Sequence, residues 1–231
     1  MAPAIASFET LSRSNVSPRQ SMSSEAAPAG ERPEIHLDLR ADVWASFQGG
    51  FVDGPSTPPY WALAWPGGQA LARYILDHPQ IVAGRHVVDW GAGSGLAAIA
   101  AAIAGARLVR AIDRDPRSIE AIYENARLNG VSNRVVAVKA ELPSSAHKDG
   151  EVILAADLWY DRFDANRMTA GLRSLARRGA TVLLADTERA FTPRRNLKVL
   201  SRYSIITDPG IEQTRLTRVH VALLEGAMEA I

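Results

Sequence analysis

The fold is decided by the stretch His86-Val87-Val88-Asp89-Trp90-Gly91-Ala92-Gly93-Ser94-Gly95, which Ala111-Ile112-Asp113-Arg114-Asp115-Pro116 follows after roughly 20 residues. An apolar strand runs into three alternate glycines and then into an alanine-rich helix. Glycines at such a bend let the backbone approach a ligand where side chains would otherwise stand. The stretch therefore predicts a nucleotide-type cofactor site.

The spacing of these glycines distinguishes between cofactors. It is Gly-x-Gly-x-Gly, whereas the dinucleotide fingerprint is Gly-x-Gly-x-x-Gly with a pyrophosphate on the helix start. Asp89 places a carboxylate at the entrance of the loop, where it would repel a pyrophosphate and can hold a cationic amino-acid group. S-adenosylmethionine carries such a group, so we predict it as the cofactor, bound by Asp89, Gly91, Gly93 and Gly95.

Strands and helices alternate along the rest of the chain. The predicted strands cover residues 87–90, 108–113, 135–140, 152–156 and 181–185, and residues 192–200 are predicted as a short helix behind a Thr192-Pro193 cap. Two strands at 203–207 and 216–224, joined by a turn at Asp208-Pro209-Gly210, end the pattern. We predict an α/β fold, a doubly wound and mostly parallel seven-stranded sheet with an antiparallel C-terminal strand pair. An antiparallel strand pair at the end of a Rossmann-like sheet is typical of class I methyltransferases and unusual in dinucleotide dehydrogenases.

The length allows one such domain. At 231 residues the chain is too short for two doubly wound domains. Residues 1–32 lack the apolar period needed to bury a face, so we predict a disordered leader before a methyltransferase domain at 33–231. The Ser- and Arg-bearing leader also fits a mitochondrial transit peptide. We expect a cytoplasmic protein, or a matrix protein if the host is eukaryotic.

The composition limits the partners. Lys plus Arg (26) nearly cancels Asp plus Glu (25), so a global field that attracts nucleic acid is missing. No apolar run is long enough to cross a membrane without a charge. The absence of cysteine excludes thiolate nucleophiles and Cys-based zinc sites, and the five histidines show no metal-ligand spacing. We predict a monomer without a metal, a nucleic-acid partner or a membrane partner.

Two groups of side chains should stand where the strands end, at the edge where crevices open in such sheets. Asp113 closes the second predicted strand and is placed to accept hydrogen bonds from two ribose hydroxyls. Capping of the next helix is the weaker interpretation, because Asp115-Pro116 serves that role better. Asp157 and Tyr160 follow the fourth strand and can flank an incoming amine. The alternative is that the aromatics there belong to the core and Asp157 caps a helix.

Several motifs together resemble the electron transfer flavoprotein β-subunit lysine methyltransferase family, a seven-strand group of protein lysine methyltransferases. They are Pro-Glu-Ile-His-Leu at 33–37, Pro-Pro-Tyr-Trp-Ala-Leu-Ala-Trp-Pro-Gly-Gly-Gln-Ala-Leu-Ala-Arg-Tyr at 58–74, the glycine loop, and Asp-Leu-Trp-Tyr-Asp at 157–161. The glycine loop is common to most adenosylmethionine enzymes, whereas the aromatic-proline segment combined with Asp-x-x-Tyr-Asp is much narrower.

The resemblance implies roles for individual residues. Trp65 and the glycine loop would contact the cofactor, and Asp157 with Tyr160 would contact the reacting lysine of the flavoprotein β subunit. From the residues alone, Trp65 can equally be a core aromatic. Two stretches depart from the family pattern: residues 185–189 read Ala-Asp-Thr-Glu-Arg in place of Gly-Asp-Pro-Gly-Arg, and residues 217–220 end in His in place of Trp. The substrate is therefore less firmly implied than the reaction.

Other functions remain open at the level of sequence. Within the same fold, the acceptor can be ribosomal protein L11 or a small amine such as nicotinamide. An Asn-Pro-Pro-Tyr motif after the fourth strand is missing, which argues against glutamine and the amino groups of DNA bases as acceptors. An NAD-binding oxidoreductase and a catalytically silent cofactor-binding protein are alternatives of a different class.

Overall fold

The computed structural model describes residues 4–11, 19–24, 34–48, 58–141, 151–207 and 216–226. Its strands within these residues are β1 (Ala4–Leu11), β2 (Arg19–Ser24), β3 (His36–Asp38), β4 (His86–Trp90), β5 (Leu108–Asp113), β6 (Val135–Lys139), β7 (Val152–Ala156), β8 (Thr181–Asp186), β9 (Leu197–Ile206) and β10 (Leu216–Leu224). They form one sheet in the order β3-β2-β1-β9-β10-β8-β7-β4-β5-β6.

Strands β4 to β10 make up the predicted seven-stranded unit. Strands β6, β5, β4, β7 and β8 run parallel to one another, while β10 runs antiparallel to both β8 and β9. The chain adds β5 and β6 on one side of β4 and β7 and β8 on the other, so the strand order reverses at β4. The α/β prediction with an antiparallel C-terminal pair is confirmed.

The helices cover both faces of this sheet. They are α1 (Ala41–Gln48), α2 (Pro66–Asp77), α3 (Leu96–Ile103), α4 (Pro116–Leu128) and α5 (Arg162–Arg177). Buried residues of α2, α3 and α4 share one apolar core with Val87, while α5 shares the other with Val88. Successive strand residues point to opposite faces, so one buried strand feeds both cores. None of the helices in the described part combines the length and apolar character that crossing a bilayer requires.

One predicted helix is wrong. Residues 192–200 were expected to form a helix, but from Leu197 onward they belong to β9, which pairs with β10 from Leu197 opposite Leu224 to Ile206 opposite Leu216. Thr192-Pro193 resembles a helix start locally, but pairing along the whole of β10 satisfies the backbone groups instead. The predicted turn at Asp208-Pro209-Gly210 lies outside the described residues.

The described parts of the first 32 residues pair with the edge of the sheet. β1 runs parallel to β9, from Ala4 opposite Tyr203 to Ala6 opposite Ile205, and β2 joins β1 to β3. An open sheet edge offers unpaired N–H and C=O groups that a segment without an apolar period can still pair with. The backbone at 4–11 and 19–24 is therefore extended and paired. The division into a leader (1–32) and a methyltransferase domain (33–231) stays a prediction.

Helix caps fix how the chain leaves the strands. The Asp115 side chain accepts the Arg117 backbone N–H at 2.9 Å at the start of α4, with Pro116 in the first turn, as predicted. Asp161, rather than Asp157, caps α5 by accepting the N–H groups of Phe163 and Asp164. Asp157 is thereby left available for another role.

Candidate functional site

A cavity of about 320 Å³ opens at the carboxyl ends of β4, β5 and β7, where the strand order reverses. This volume lies within the range of roughly 300–1,000 Å³ that is common for small-molecule sites. The cavity brings together every site residue predicted from the sequence except Gly95: Trp65, Asp89, Gly91, Gly93, Asp113, Asp157 and Tyr160. Gly95 stands at the start of α3, one residue beyond Ser94 in the cavity wall.

The three loop glycines all adopt backbone angles that L side chains avoid, with φ of +66° at Gly91, +53° at Gly93 and +84° at Gly95. A Cβ at Gly91 would lie 2.4 Å from Leu158 Cδ2, and one at Gly95 would lie 3.2 Å from Ile122 Cγ1. At Gly93 the nearest atoms would be 4.0 Å away. Gly91 and Gly95 are thus required for packing, whereas Gly93 leaves bare backbone facing the cavity.

Asp113 shapes the turn that follows the loop. Its Oδ2 accepts the Gly93 N–H at 2.9 Å, and its Oδ1 accepts the Asp115 N–H at 2.9 Å. Burial raises the pKa of Asp113, while these backbone donors and the Ser118 hydroxyl act in the opposite direction. The carboxylate is therefore held in one orientation at the cavity wall. Its contact with a ribose stays a prediction.

Asp89 lies deeper than the sequence suggested. Its side chain is 2% exposed, and its Oδ2 accepts the Ala98 N–H at 3.1 Å in the first turn of α3. Burial raises the pKa of Asp89 to about 7, and the neighbouring charge of Asp113 adds to this rise. Since Asp89 also lines the cavity, a cation bound there would restore its ionised form.

The side chain of Asn125 holds the glycine loop from the side of α4. Asn125 of α4 is fully buried, donates to the Ser94 carbonyl oxygen at 2.8 Å and accepts the Asp38 N–H at 2.7 Å. One side chain therefore ties the loop and β3 to the same helix. The sequence analysis missed it, because an asparagine inside an amphipathic helix gives no signal of its partners.

Asp157 is held in a strained position at the end of β7. Its φ is +54°, which is rare for a residue with a side chain and is found at functional sites. Its Oδ2 accepts the Gly68 N–H at 3.0 Å in the first turn of α2, and its Oδ1 pairs with Arg189 Nη1 at 2.7 Å. The positive end of the α2 dipole and a guanidinium thus both stabilise the carboxylate charge.

A test of this arrangement comes from two adjacent glycines of α2. A Cβ at Gly67 would lie 2.4 Å from Asp157 Oδ2 and 2.7 Å from the Ala185 carbonyl oxygen, whereas one at Gly68 would meet nothing closer than Leu96 Cδ2 at 4.0 Å. We expect Gly67→Ala to lower the free energy of unfolding by about 1–3 kcal/mol, as overpacking does. Gly68→Ala is the matched control and should change it by less than about 0.5 kcal/mol. Urea denaturation checks both, and equal losses would contradict the close approach of α2 to Asp157.

Tyr160 stands at the cavity mouth. It is 41% exposed, its ring lies 5.0 Å from that of Tyr60, and its hydroxyl accepts a hydrogen bond from Arg114 Nη2 at 3.3 Å. Burial of the hydroxyl end raises the pKa of Tyr160, while Arg114 acts to lower it. The phenol is therefore neutral near pH 7 and has a fixed partner on one side.

Trp65 is both a packed aromatic and a residue of the cavity wall, the two roles that the sequence left open. Its ring packs edge-on against Trp44 at 5.3 Å and Tyr60 at 5.7 Å, and its Nε1 donates to the Tyr60 carbonyl oxygen at 2.7 Å. It also lines the cavity. Trp65 is thus part of an aromatic cluster that forms a wall of the site.

Several cavity residues were not singled out from the sequence: Trp61, Arg114, Glu141, Leu158 and Arg189. Trp61 has a buried Nε1 without a hydrogen-bond partner among the described residues, which suits a ligand that brings an acceptor. Arg114 and Glu141 directly follow β5 and β6, so the rule that crevices lie beyond strand ends was enough to find them. Arg189 lies in an irregular loop after β8 and carries no such signal.

The charge around the cavity is predominantly negative. Its described wall carries six carboxylates (Asp89, Asp113, Asp115, Glu141, Asp157 and Asp164) and three guanidiniums (Arg114, Arg167 and Arg189). An excess of carboxylates favours a ligand with cationic groups over a pyrophosphate. The electrostatics therefore agree with the cofactor choice made from Asp89.

Comparisons with known proteins show which families the chain is similar to. A sequence model of the ribosomal protein L11 methyltransferase family matches residues 70–158. The chain is 39% identical over 194 residues to the electron transfer flavoprotein β-subunit lysine methyltransferase of Xenopus laevis, covering 80% of this chain and 77% of that protein. It is 38% identical over 168 residues to the mouse protein of the same name, covering 68% of this chain and 62% of the relative.

A solved structure supports the fold. That of a candidate RNA methyltransferase from Pyrococcus horikoshii superimposes with a TM-score of 0.53 at 15% sequence identity, covering 81% of this chain and 98% of the other. At this identity the likeness concerns the fold alone. The region matched by the L11 family model runs from α2 through the glycine loop to the end of β7, which is the part of the chain that builds the cavity floor.

Proposed function

Because the chain belongs to the electron transfer flavoprotein β-subunit lysine methyltransferase family, we propose that it transfers methyl groups from S-adenosylmethionine to lysine side chains of that flavoprotein subunit. The observation that carries the proposal is that Asp157 and Tyr160 line the same cavity as the glycine loop. A carboxylate and a phenol at one opening can both accept hydrogen bonds from an amine.

The residues of the cavity fit the cofactor. Bare backbone at Gly93 allows close approach, the Trp61 Nε1 lacks a partner among the described residues, and the carboxylate excess suits an amino-acid cation. In this proposal Asp89 faces the amino group, Asp113 holds the ribose, and Trp65 with the glycine loop forms the walls. When bound, S-adenosylmethionine supplies a methyl group on a sulfonium sulfur, and the sulfur keeps the bonding electron pair when the amine nitrogen takes the methyl carbon.

The chain's own residues prepare the amine. A free lysine has a pKa near 10.4, so its ammonium must lose a proton before it has a lone pair to offer. Asp157 Oδ1 and the Tyr160 hydroxyl would accept the remaining N–H bonds and point the lone pair into the cavity. The Tyr60 ring lies 5.7 Å from Trp65 and 5.0 Å from Tyr160, and this aromatic wall would help to keep water from the amine. Orientation of this kind supplies much of the rate in such displacements.

The position of Asp89 predicts how cofactor affinity depends on pH. Its pKa is raised to about 7 in the free protein, and a bound cation would lower it again. The product S-adenosylhomocysteine carries the same amino group, so its affinity should rise as the pH increases from about 6 to about 8, by up to tenfold for each unit that the pKa falls on binding. Isothermal titration calorimetry in two buffers should show proton release near pH 7. Asp89→Asn should bind without proton release; release of equal size in that variant would contradict the assignment.

Methylation of ribosomal protein L11 is a second candidate, because the L11 family model matches residues 70–158. That match ends at Leu158 and leaves out Tyr160 and the loop with Arg189, which form the rim where a substrate enters. It therefore supports the cofactor and not the acceptor. The monomeric state, the absence of a nucleic-acid partner and the cytoplasmic or matrix location stay predictions.

One experiment separates the candidates. Purified protein is incubated with methyl-labelled S-adenosylmethionine and, in parallel, with the flavoprotein β subunit, ribosomal protein L11 or nicotinamide. We expect label on the flavoprotein subunit. Label on L11 or nicotinamide instead would identify the alternative methyltransferases, and binding of NAD in a calorimetric titration without binding of S-adenosylhomocysteine would favour the oxidoreductase. Binding of S-adenosylhomocysteine without any transfer would point to a silent binder.

A further inference from the structure

Both oxygens of the Asp157 carboxylate are already engaged. Oδ1 lies 2.7 Å from Arg189 Nη1, and Oδ2 accepts the Gly68 N–H at 3.0 Å. A carboxylate without a counter-cation would favour the ammonium form of a lysine beside it, and an ammonium has no lone pair. The cation on Asp157 therefore affects whether the proposed substrate can react.

The Arg189 guanidinium is shared between two carboxylates. Its Nη1 also lies 3.0 Å from Asp186 Oδ1, at the end of β8. Asp186 is 4% exposed, and its Oδ2 has no hydrogen-bond partner among the described residues. Leaving this buried carboxylate without a cation would be costly, so Asp186 keeps Arg189 near Asp157 even if a substrate displaces the contact with Asp157. Arginine remains charged at any physiological pH.

Other charged and titratable groups face the same place from the surrounding elements: Tyr60, Arg114, Tyr160, Asp164, Arg167 and Asp186. Arg114 and Arg167 both pair with Asp164, at 3.3 Å and 3.4 Å. The first turn of α2 carries no charged side chain. The positive charge directly bonded to Asp157 is thus that of Arg189.

Resting on the function proposed above, we propose that Arg189 is a positioning residue that keeps the target amine neutral, by holding a fixed positive charge against Asp157 and Asp186. The incoming ammonium gives one proton to water and its nitrogen retains the electron pair. Arg189 disfavours the ammonium, because like charges repel, and leaves the neutral amine unaffected. Enzymes that use a lysine amine as a nucleophile can activate it with a neighbouring cation in the same way.

The test is the pH dependence of kcat at saturating flavoprotein β subunit, between about pH 6 and about pH 10, because kcat reports the ionisation of groups in the enzyme–substrate complex. In Arg189→Gln the rise that reports amine deprotonation should move to higher pH by about one unit or more, with a loss of about tenfold near pH 7 that recovers in alkali. Arg189→Lys keeps the charge and should stay close to the wild type. Asp186→Asn removes a negative charge and should move the rise in the opposite direction.

The outcomes separate this inference from the function it rests on. Arg127→Gln, on the outer surface of α4 and 69% exposed, removes a guanidinium elsewhere and should leave the profile unmoved. If the wild type methylates the subunit and Arg189→Gln shows a lower rate at every pH without a shift, the inference is overturned and the function stands. If the wild type methylates no lysine, both are overturned. Calorimetric titration with S-adenosylhomocysteine shows whether each variant is folded. If Arg189→Gln does not bind S-adenosylhomocysteine, the Asp186→Asn variant decides. A shift of its pH profile to lower pH supports the proposal, and an unshifted profile overturns it.

Discussion

Asp157→Asn should lower kcat for lysine methylation by about a thousandfold while the affinity for S-adenosylhomocysteine changes by less than about threefold. The amide retains an oxygen that can accept the Gly68 N–H, but it loses the charge that pairs with Arg189 and the acceptor that orients the amine. The cofactor contacts proposed for the glycine loop, Asp89 and Asp113 involve other atoms. Single-turnover rates measure the loss of methyl transfer, and calorimetry measures the affinity for S-adenosylhomocysteine.

The control for this variant is a carboxylate of the loop after β8, outside the residues that line the cavity. Glu188 is exposed, lies in the loop after β8 and pairs with His220 at 2.7 Å. Glu188→Gln should leave kcat within about threefold of the wild type, since the ion pair of Glu188 is with His220 and not with a residue of the cavity. Normal turnover by Asp157→Asn would show that the amine is oriented by some other group.

The second large effect concerns the cofactor and compares two glycines with similar backbones. Gly93 has φ of +53° and Gly84 has φ of +69°, so alanine at either position carries the same kind of backbone strain. A Cβ at Gly84 would have nothing within 4 Å, whereas one at Gly93 would point into the cavity close to Tyr60 and Trp61. We expect Gly93→Ala to weaken S-adenosylhomocysteine binding by about a hundredfold, near 2.7 kcal/mol.

Gly84→Ala should bind S-adenosylhomocysteine as the wild type does. Both variants should lose similar unfolding free energy, of about 1–2 kcal/mol, because the strain is common to them. Thermal unfolding and calorimetry provide the two measurements. Equal affinity in the two variants would mean that the ligand does not approach the glycine backbone.

Much of this fold could be predicted from short-range chemistry. The cap of α4 at Asp115 with Pro116 and the alternate glycines after β4 depend on interactions within a few residues, and they are found as predicted. The positions of Asp113 and Asp157 follow from a topological rule, that the carboxyl ends of adjacent parallel strands meet at one edge. Such features do not need knowledge of distant partners.

The features that the sequence analysis did not predict depend on pairing between distant parts of the chain. Residues 192–200 have a plausible local helix start, but β10 supplies a full strand of partners for Leu197 and its successors. Arg189 reaches Asp157 across 32 positions of sequence, from a loop whose course depends on positive φ at Glu188 (+60°) and Asn196 (+61°). Neither residue is a glycine, so no residue type marks this turn in the sequence. β1 pairs with β9 along the backbone, and composition does not report such pairing.

The central claim is that the cavity above the glycine loop serves lysine methylation. It is tested most directly by peptide mass spectrometry of the purified flavoprotein β subunit after incubation with the protein and S-adenosylmethionine. We predict added methyl groups on lysine side chains with the wild type and none with Asp157→Asn. An unmodified subunit, or methyl groups confined to residues other than lysine, would contradict the account.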